Sequence, residues 1–253
     1  MDKLILTINP GSTTTKLGLY NKTTEIKKMN IEHDIKDLKK FKNISDQLDF
    51  RYEYILDFLK EEDIDITNFS AVVGRGGLLR PIDGGTYEVN EEMKKDLKES
   101  KRGEHASNLG GLLADLLANE ANCPAYIVDP VVVDEMQEIA KISGVPELER
   151  RSILHALNQK AVARKYAEIV NKDYEKINII VAHLGGGISV GAHNKGKIID
   201  VNNALSGDGP FSPNRSGGVP SAGLLDLCYS GEYTKDQLKS KLSGKGGVVA
   251  YIN

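Results

Sequence analysis

The feature that most constrains the fold is a pattern of strand, turn, strand, turn, strand that occurs twice. In the first copy an apolar run, Leu4 to Ile8, enters Asn9-Pro10-Gly11-Ser12-Thr13-Thr14-Thr15-Lys16, whose polar turn predicts a hairpin into a second strand. Glu25 to Glu32 reads as a third strand. In the second copy Ile177 to Ala182 enters His183-Leu184-Gly185-Gly186-Gly187-Ile188-Ser189-Val190, continues through Gly191, Ala192 and His193, and is followed by Lys197 to Val201. Duplication of this kind predicts two related units. Two such hairpins facing each other offer backbone N–H groups and hydroxyls to one polyanion, which is what a phosphate group requires.

Between and after the copies the pattern is α/β. Ile44 to Lys60 carries Leu48, Tyr52, Ile55, Leu56 and Leu59 at helical spacing, and Ala71 to Val73 is a short apolar strand running into Gly74-Arg75-Gly76-Gly77. A charged helix follows Val89-Asn90, and His105 to Asn122 reads as a helix with a stripe of Leu109, Leu112, Leu113, Leu116 and Leu117. Ala125 to Val128 is a strand that delivers Asp129 at its C-terminal end, where sites of open α/β sheets gather. Val131 to Ser143 reads as loop then helix. Pro146 is placed to open a long helix to about Lys172, burying Leu148, Ile153, Leu157, Ala161 and Ala167 and linking two domains. Ser206 to Ser221 is too rich in Gly, Pro and Ser for regular structure, and Ala222 to Tyr229 and Thr234 to Leu242 read as short helices.

Composition narrows the function classes. With 253 residues and a net charge of −3, the chain has no basic field for nucleic acid, so an anionic substrate must be held by a few placed cations. Cys123 and Cys228 have no metal-ligand spacing and read as plain thiols in a reducing compartment. The N-terminal residues lack the succession of a secretion signal, and no apolar run approaches the roughly 20 residues of a membrane helix, so the sequence predicts a soluble, cytoplasmic protein. No GxxxxGK[ST] motif and no GxGxxG opening a helix is present, which disfavours a P-loop kinase and a dinucleotide-binding dehydrogenase.

The segments NPGSTTTK (9–16), VVGRGGLLRP (72–81), HLGGGISV (183–190) and GPFSPNRSGG (209–218), in this order and at these separations, resemble the butyrate kinases of the acetate kinase family. That family shares a superfamily with sugar kinases, Hsp70 and actin. The resemblance runs over the whole chain. It implies a duplicated ribonuclease H-like (actin/acetate-kinase-like) two-domain fold, with residues 1–145 as an acyl- and phosphate-binding domain and residues 146–253 as the start of a nucleotide-binding domain. It also implies ATP and Mg²⁺ as cofactors, and reversible transfer of a phosphoryl group to a short-chain carboxylate, giving an acyl phosphate and ADP. A homodimer or higher homo-oligomer is expected by the same analogy, with no nucleic acid or membrane partner. The family's second domain continues through a glycine-rich adenosine pocket, a glutamate assisting the metal and a final helix. The stretch from Ile177 to Asn253 is less than half as long as the interval between the two copies, so the expectation is of a truncated second domain. Acetate or propionate kinase, and a noncatalytic phosphate-binding fragment, are the alternative readings.

Residue by residue, phosphoryl transfer needs alignment and positive charge around the migrating group. Arg75 and Arg215 lie in glycine- or proline-bearing turns, and the resemblance places both on the transferring group, Arg75 also on the acyl carboxylate; the plain alternative is a solvated surface cation. Asn9, Gly11, Ser12, Thr14 and Lys16 are carried over as the first phosphate hairpin, although a hydroxyl-rich turn also serves an ordinary β-hairpin. His183, Gly185, Gly186 and Gly187 form the second. His155, on the expected long helix, matches an active-site histidine, and Asp129 is expected to hold Mg²⁺ through water, with Asp134 as the competing candidate. An acyl pocket is expected at Gly76, Gly77 and Leu154. Acetate kinases carry bulkier apolar residues just after the arginine, and their loss would leave room for butyrate or isobutyrate, at about 0.8 kcal/mol per buried methylene. His33, His105 and His193 have no counterpart among the site residues and read as structural or exposed.

Overall fold

In the computed structural model, which describes residues 3–206 and 208–252, the chain divides into two units. The first runs to Arg80 and from Gly84 to Val132; the second comprises Pro81–Asp83 and the chain from Val133 on.

The first unit is built on a six-stranded sheet of order β3-β2-β1-β4-β6-β5. Its strands are β1 (Leu4–Pro10), β2 (Thr14–Asn21), β3 (Thr24–Glu32), β4 (Phe69–Arg75), β5 (Thr86–Glu88) and β6 (Ala125–Val128). The central strands β1, β4 and β6 run parallel, while β2, β3 and β5 pair antiparallel with their neighbours. Leu6, Ile8, Val72 and Ile127 on these central strands are buried, as parallel strands covered by helices require. The helices are α1 (Ile35–Leu38), α2 (Leu48–Glu61), α3 (Glu91–Glu99) and α4 (Asn108–Ala121), with α4 lying across β1, β4 and β6. Leu109, Leu112, Leu113 and Leu117 of α4 are buried, each stabilising the unit by about 1.5–3 kcal/mol. Helix and strand meet backbone to backbone: a Cβ on Gly74 would lie 2.0 Å from the carbonyl oxygen of Gly110, and one on Gly110 would lie 2.1 Å from that of Arg75. Only glycine at both positions permits that approach. The short strand β5, for which the sequence gives no expectation, is held by its pairing to β6.

The second unit contains a three-stranded antiparallel sheet of β7 (Asn178–Leu184), β8 (Ile188–Asn194) and β9 (Lys197–Val201). Its helices are α5 (Glu138–Lys141), α6 (Ala156–Ile169), α7 (Ser221–Tyr229), α8 (Lys235–Leu242) and α9 (Val249–Ile252). The expected repeat is visible in the backbone. β1-β2-β3 and β7-β8-β9 are both antiparallel meanders whose first turn has three residues, Gly11 to Thr13 and Gly185 to Gly187. In the second copy the turn between β8 and β9 is Lys195-Gly196, both at positive φ, the backbone a tight hairpin demands. The segment is irregular from Ser206 to Pro220, with α7 taking up its last residue, Ser221; Gly207 lies outside the described residues.

The long helix from Pro146 is corrected. Regular helix begins at Ala156 and ends at Ile169, and its buried stripe is Ala156, Gln159, Lys160, Ala163 and Ala167. Leu148 and Leu157, expected inside, are 67% and 44% exposed, and Ala161 is exposed as well. The preceding residues are held by longer-range bonds that outweigh helix propensity: Ser152 Oγ donates to Val133 O at 2.6 Å, and Ile153 O accepts from Ala204 N at 2.8 Å. Leu154 is pulled into a core of Val133, Met136, Ala156, Ile198 and Val201. A second cluster of Ala163, Ala167, Tyr174 and Val181 packs α6 on β7.

Candidate functional site

In the first unit, three of the expected residues stand in a row at the C-terminal edge of the parallel strands. Ile8 is in register with Gly74, so Asn9 and Arg75 follow side by side, and Arg75 is in register with Val128, which Asp129 succeeds. Arg75 Nη1 donates to Asn9 Oδ1 at 3.2 Å. No carboxylate pairs with Arg75 among the described residues, and burial alone pushes its guanidinium pKa down. The Asp129 carboxylate is 2% exposed and accepts from Gly85 N at 2.8 Å through Oδ1. Its φ of 38° is left-handed, a conformation that Asp tolerates better than most residues but that still costs energy, which marks a position fixed by its surroundings.

The first hairpin turn is fixed from behind. Its carbonyls are drawn inward: Ser12 O and Thr14 O accept from Arg51 at 3.1 and 3.0 Å, Thr13 O accepts from His33 N, and Thr14 O also accepts from Gly11 N at 2.7 Å. Because a trans peptide sets C=O and the following N–H on opposite sides, the N–H group of Thr13 is turned away from the Arg51-bound carbonyl of Ser12. Ser12 and Thr13 are exposed, and among the described residues no acceptor takes their N–H groups. Arg51 itself is 0% exposed on α2. It also donates to Gln47 Oε1 and Thr15 Oγ1, has no carboxylate partner among the described residues, and burial lowers its pKa to about 10. A buried, unneutralised cation behind outward-facing N–H groups makes this turn attractive to an anion. Lys16 lies opposite Asn9 in the β1/β2 ladder and is exposed. Both line an open groove of about 560 Å³ with Thr7, Gly18, Tyr20 and Lys28.

The second unit gathers the remaining candidates. His155 is at the N-terminal cap of α6 rather than within a helix, and its ring stacks on His183 with centroids 3.7 Å apart and planes 7° from parallel. His183 lies opposite Ser189 in the β7/β8 ladder, and Gly185 N bonds to Gly187 O to close the turn. Arg215 lies on this turn: a Cβ at Gly187 would be 2.2 Å from Arg215 Nη1, so the glycine makes the space the guanidinium fills. Arg215 Nη1 donates to Ala204 O, no carboxylate pairs with it among the described residues, and burial lowers its pKa. Ser212 Oγ ties the Gly-Pro-Ser-rich segment to the same turn through Gly186 O at 2.6 Å.

Asp134 is otherwise engaged, accepting from Met136 N at 3.2 Å and lying 3.4 Å from Lys141 Nζ. The acyl-pocket expectation needs correction in its reasoning. At Gly76 a Cβ would meet Pro130 Cβ at 2.5 Å, and at Gly77 it would meet Asn108 Oδ1 at 2.4 Å, so both glycines permit close packing and leave no void of their own. Leu154 is core, as described. Sequence reasoning missed Arg51, and the signal was present: it falls four and eight residues before Ile55 and Leu59 on the buried face, a charge where an apolar residue belongs. Ser189, Gln159 and Asn158, which contact the two stacked imidazoles directly or through one another, carried no such signal.

Comparison with known proteins supplies the family. The acetokinase family profile matches residues 136–252. Butyrate kinase 2 of Clostridium acetobutylicum is 60% identical over 247 residues, covering 98% of this chain and 69% of that protein. Butyrate kinase 1 of the same organism is 55% identical over 249 residues, covering 98% and 70%. Among solved structures, Porphyromonas gingivalis acetate kinase aligns with a TM-score of 0.75 at 20% identity over 98% of this chain and 69% of its own. A propionate kinase from Francisella tularensis aligns with a TM-score of 0.70 at 19% identity over 98% and 70%. At those identities the structures establish the acetate-kinase-like fold, and the sequence relatives establish the rest: this chain belongs to the butyrate kinases of the acetokinase family.

Proposed function

We propose that this chain carries out reversible ATP-dependent phosphorylation of a short-chain carboxylate, butyrate or a branched analogue, to its acyl phosphate by direct in-line transfer. The observation that carries the reading is a pair of half-buried arginines, Arg75 and Arg215, each beside a strand end or hairpin turn and each without a carboxylate among the described residues. A guanidinium that has lost hydration and gained no counter-charge favours an anion, and its fork matches carboxylate and phosphoryl oxygens. Acetate or propionate as the preferred acid has less support, since the relatives at 53–60% identity are butyrate kinases or probable ones.

In this reading Arg75, aligned by Asn9, binds the acyl carboxylate and the migrating group, Arg215 steadies that group, and His155 hydrogen-bonds it. The N–H groups of Ser12 and Thr13 and the hydroxyls of Ser12, Thr13 and Thr14, with Lys16, cradle phosphate oxygens, as do His183 and the turn Gly185–Gly187. Asp129, which follows the C-terminal end of β6 next to Arg75 in the strand register, is the residue that would hold a divalent cation, Mg²⁺, through water. The cation supplies charge neutralisation on the phosphates. The first unit then serves acyl and phosphate binding and the second begins the nucleotide-binding domain. A cytoplasmic location and a homo-oligomeric state rest on the family resemblance; no helix among the described residues is long and apolar enough to cross a membrane.

Hydroxamate trapping of acyl phosphate from C2 to C5 acids with MgATP tests the assignment. Butyrate or isobutyrate should turn over fastest, and Arg75→Gln and Arg215→Gln should each cost about 10³-fold or more by analogy with charge-stabilising arginines in phosphoryl transfer. No trapping with any acid, or arginine variants as active as the parent, would refute it.

A further inference from the structure

Behind His155, buried hydrogen bonds run from Tyr174 through His193, Gln159 and Ser189 to the imidazole. Tyr174 Oη lies 2.7 Å from His193 Nδ1, His193 Nε2 lies 3.0 Å from Gln159 Oε1, Gln159 Nε2 lies 2.8 Å from Ser189 Oγ, and Ser189 Oγ lies 2.9 Å from His155 Nδ1. Tyr174, His193, Gln159 and Ser189 are all buried. Gln159 reaches its place because β8 carries Gly191, where a Cβ would fall 2.3 Å from Gln159 Oε1.

The chain has a direction. Gln159 Nε2 also donates to the backbone carbonyl of Ser189 at 3.0 Å, a partner that can only accept, so the amide cannot be turned round. Its Oε1 therefore accepts from His193, whose hydrogen must sit on Nε2, and His193 Nδ1 accepts from the Tyr174 hydroxyl. Burial, with the Lys160 charge nearby, lowers the His193 pKa to about 4, consistent with a neutral ring. At the other end Ser189 Oγ accepts from Gln159 Nε2 and, at 3.4 Å, from the backbone N–H of His155. Both contacts are donors, so the remaining hydrogen of the Ser189 hydroxyl has one acceptor, His155 Nδ1. The His155 hydrogen is left on Nε2.

We infer that Ser189 and Gln159, backed by His193 and Tyr174, are positioning residues that impose the Nε2–H tautomer on His155, making it a neutral hydrogen-bond donor to phosphoryl oxygen. The use of that donor rests on the reaction proposed above; the tautomer does not. The Nδ1–H form would set two hydrogens between His155 and Ser189, or crowd three donors onto Ser189 Oγ while turning its own hydrogen away from His155 Nδ1.

The test is a ¹H–¹⁵N long-range correlation spectrum of the 253-residue chain labelled at histidine, which distinguishes the protonated ring nitrogen directly. The parent should show His155 as Nε2–H alone. Ser189→Ala, judged folded by its melting curve, should show a mixture of tautomers and a roughly 10-fold lower kcat with KM little changed. His155 carrying its hydrogen on Nδ1 in the parent would overturn the inference, and so would an unaltered single form in Ser189→Ala. A parent that shows the Nε2–H form yet traps no hydroxamate would support the inference while counting against the assigned reaction. If Ser189→Ala fails to fold, Gln159→Leu gives the same readout, with the same mixture expected and an unaltered Nε2–H form overturning the inference.

Discussion

Mild acid should destabilise this protein before its carboxylates titrate, because two histidines are buried in their neutral form. His33 is 4% exposed against Phe50 and Tyr54, and burial together with the Arg51 charge lowers its pKa to about 4. His193 is brought to about 4 chiefly by burial, with Lys160 adding to the effect and Glu135 opposing it. Both values lie below the unfolded value of about 6.5, so between pH 6.5 and 4 the unfolded chain binds more protons and stability falls as pH falls. With a folded pKa of about 4 and an unfolded pKa of about 6.5, moving from pH 7 to pH 5 removes about 1.8 kcal/mol per histidine. Each loss falls in a different unit, His33 in the first and His193 in the second. Urea unfolding followed at pH 7, 6 and 5, with the histidine ring protons titrated by NMR in parallel, measures both the energy and its source. A midpoint unchanged over this range, or His33 and His193 titrating near 6.5, would refute the reasoning.

Arg51→Met removes the donors to Ser12 O, Thr14 O, Thr15 and Gln47 while relieving a buried charge; Gly11 N still serves Thr14 O, so the net loss should be about 2–3 kcal/mol. Calorimetry with inorganic tripolyphosphate should show weaker binding, and unchanged binding would show that the turn is not held by Arg51. Gly187→Ala should displace the Arg215 guanidinium, since the new methyl would lie 2.2 Å from Nη1, yet the arginine side chain can swing aside. Turnover should fall about 10²-fold for an ångström of displacement, with a melting temperature close to that of the parent. Gly74→Ala is the converse: its Cβ meets backbone of α4 at 2.0 Å, so a stability loss of about 3 kcal/mol, read by thermal melting, should dominate.

The duplicated meander was legible in the sequence because it is local. An apolar run, a polar or glycine-rich turn and the strand after it are fixed by neighbours a few positions apart, and β1-β2-β3 and β7-β8-β9 carry that pattern. The apolar spacing of Leu109, Leu112, Leu113 and Leu117 likewise announced α4, and the strand end delivering Asp129 announced itself by the apolar run before it. What the sequence left undecided was set by atoms distant along the chain. Ile153, Leu154 and Ser152 follow a proline and read as helix, yet bonds to Ala204 and Val133 hold them out of it and leave His155 at a helix cap, stacked on His183. Gly76 and Gly77 read as space, and packing against Pro130 and Asn108 makes them contact. Arg51 orders the first turn through bonds to Ser12 and Thr14, residues far from it along the chain. Short-range periodicity encodes elements; which polar group faces which partner is a long-range energy balance, and only the folded backbone brings those partners within bonding distance.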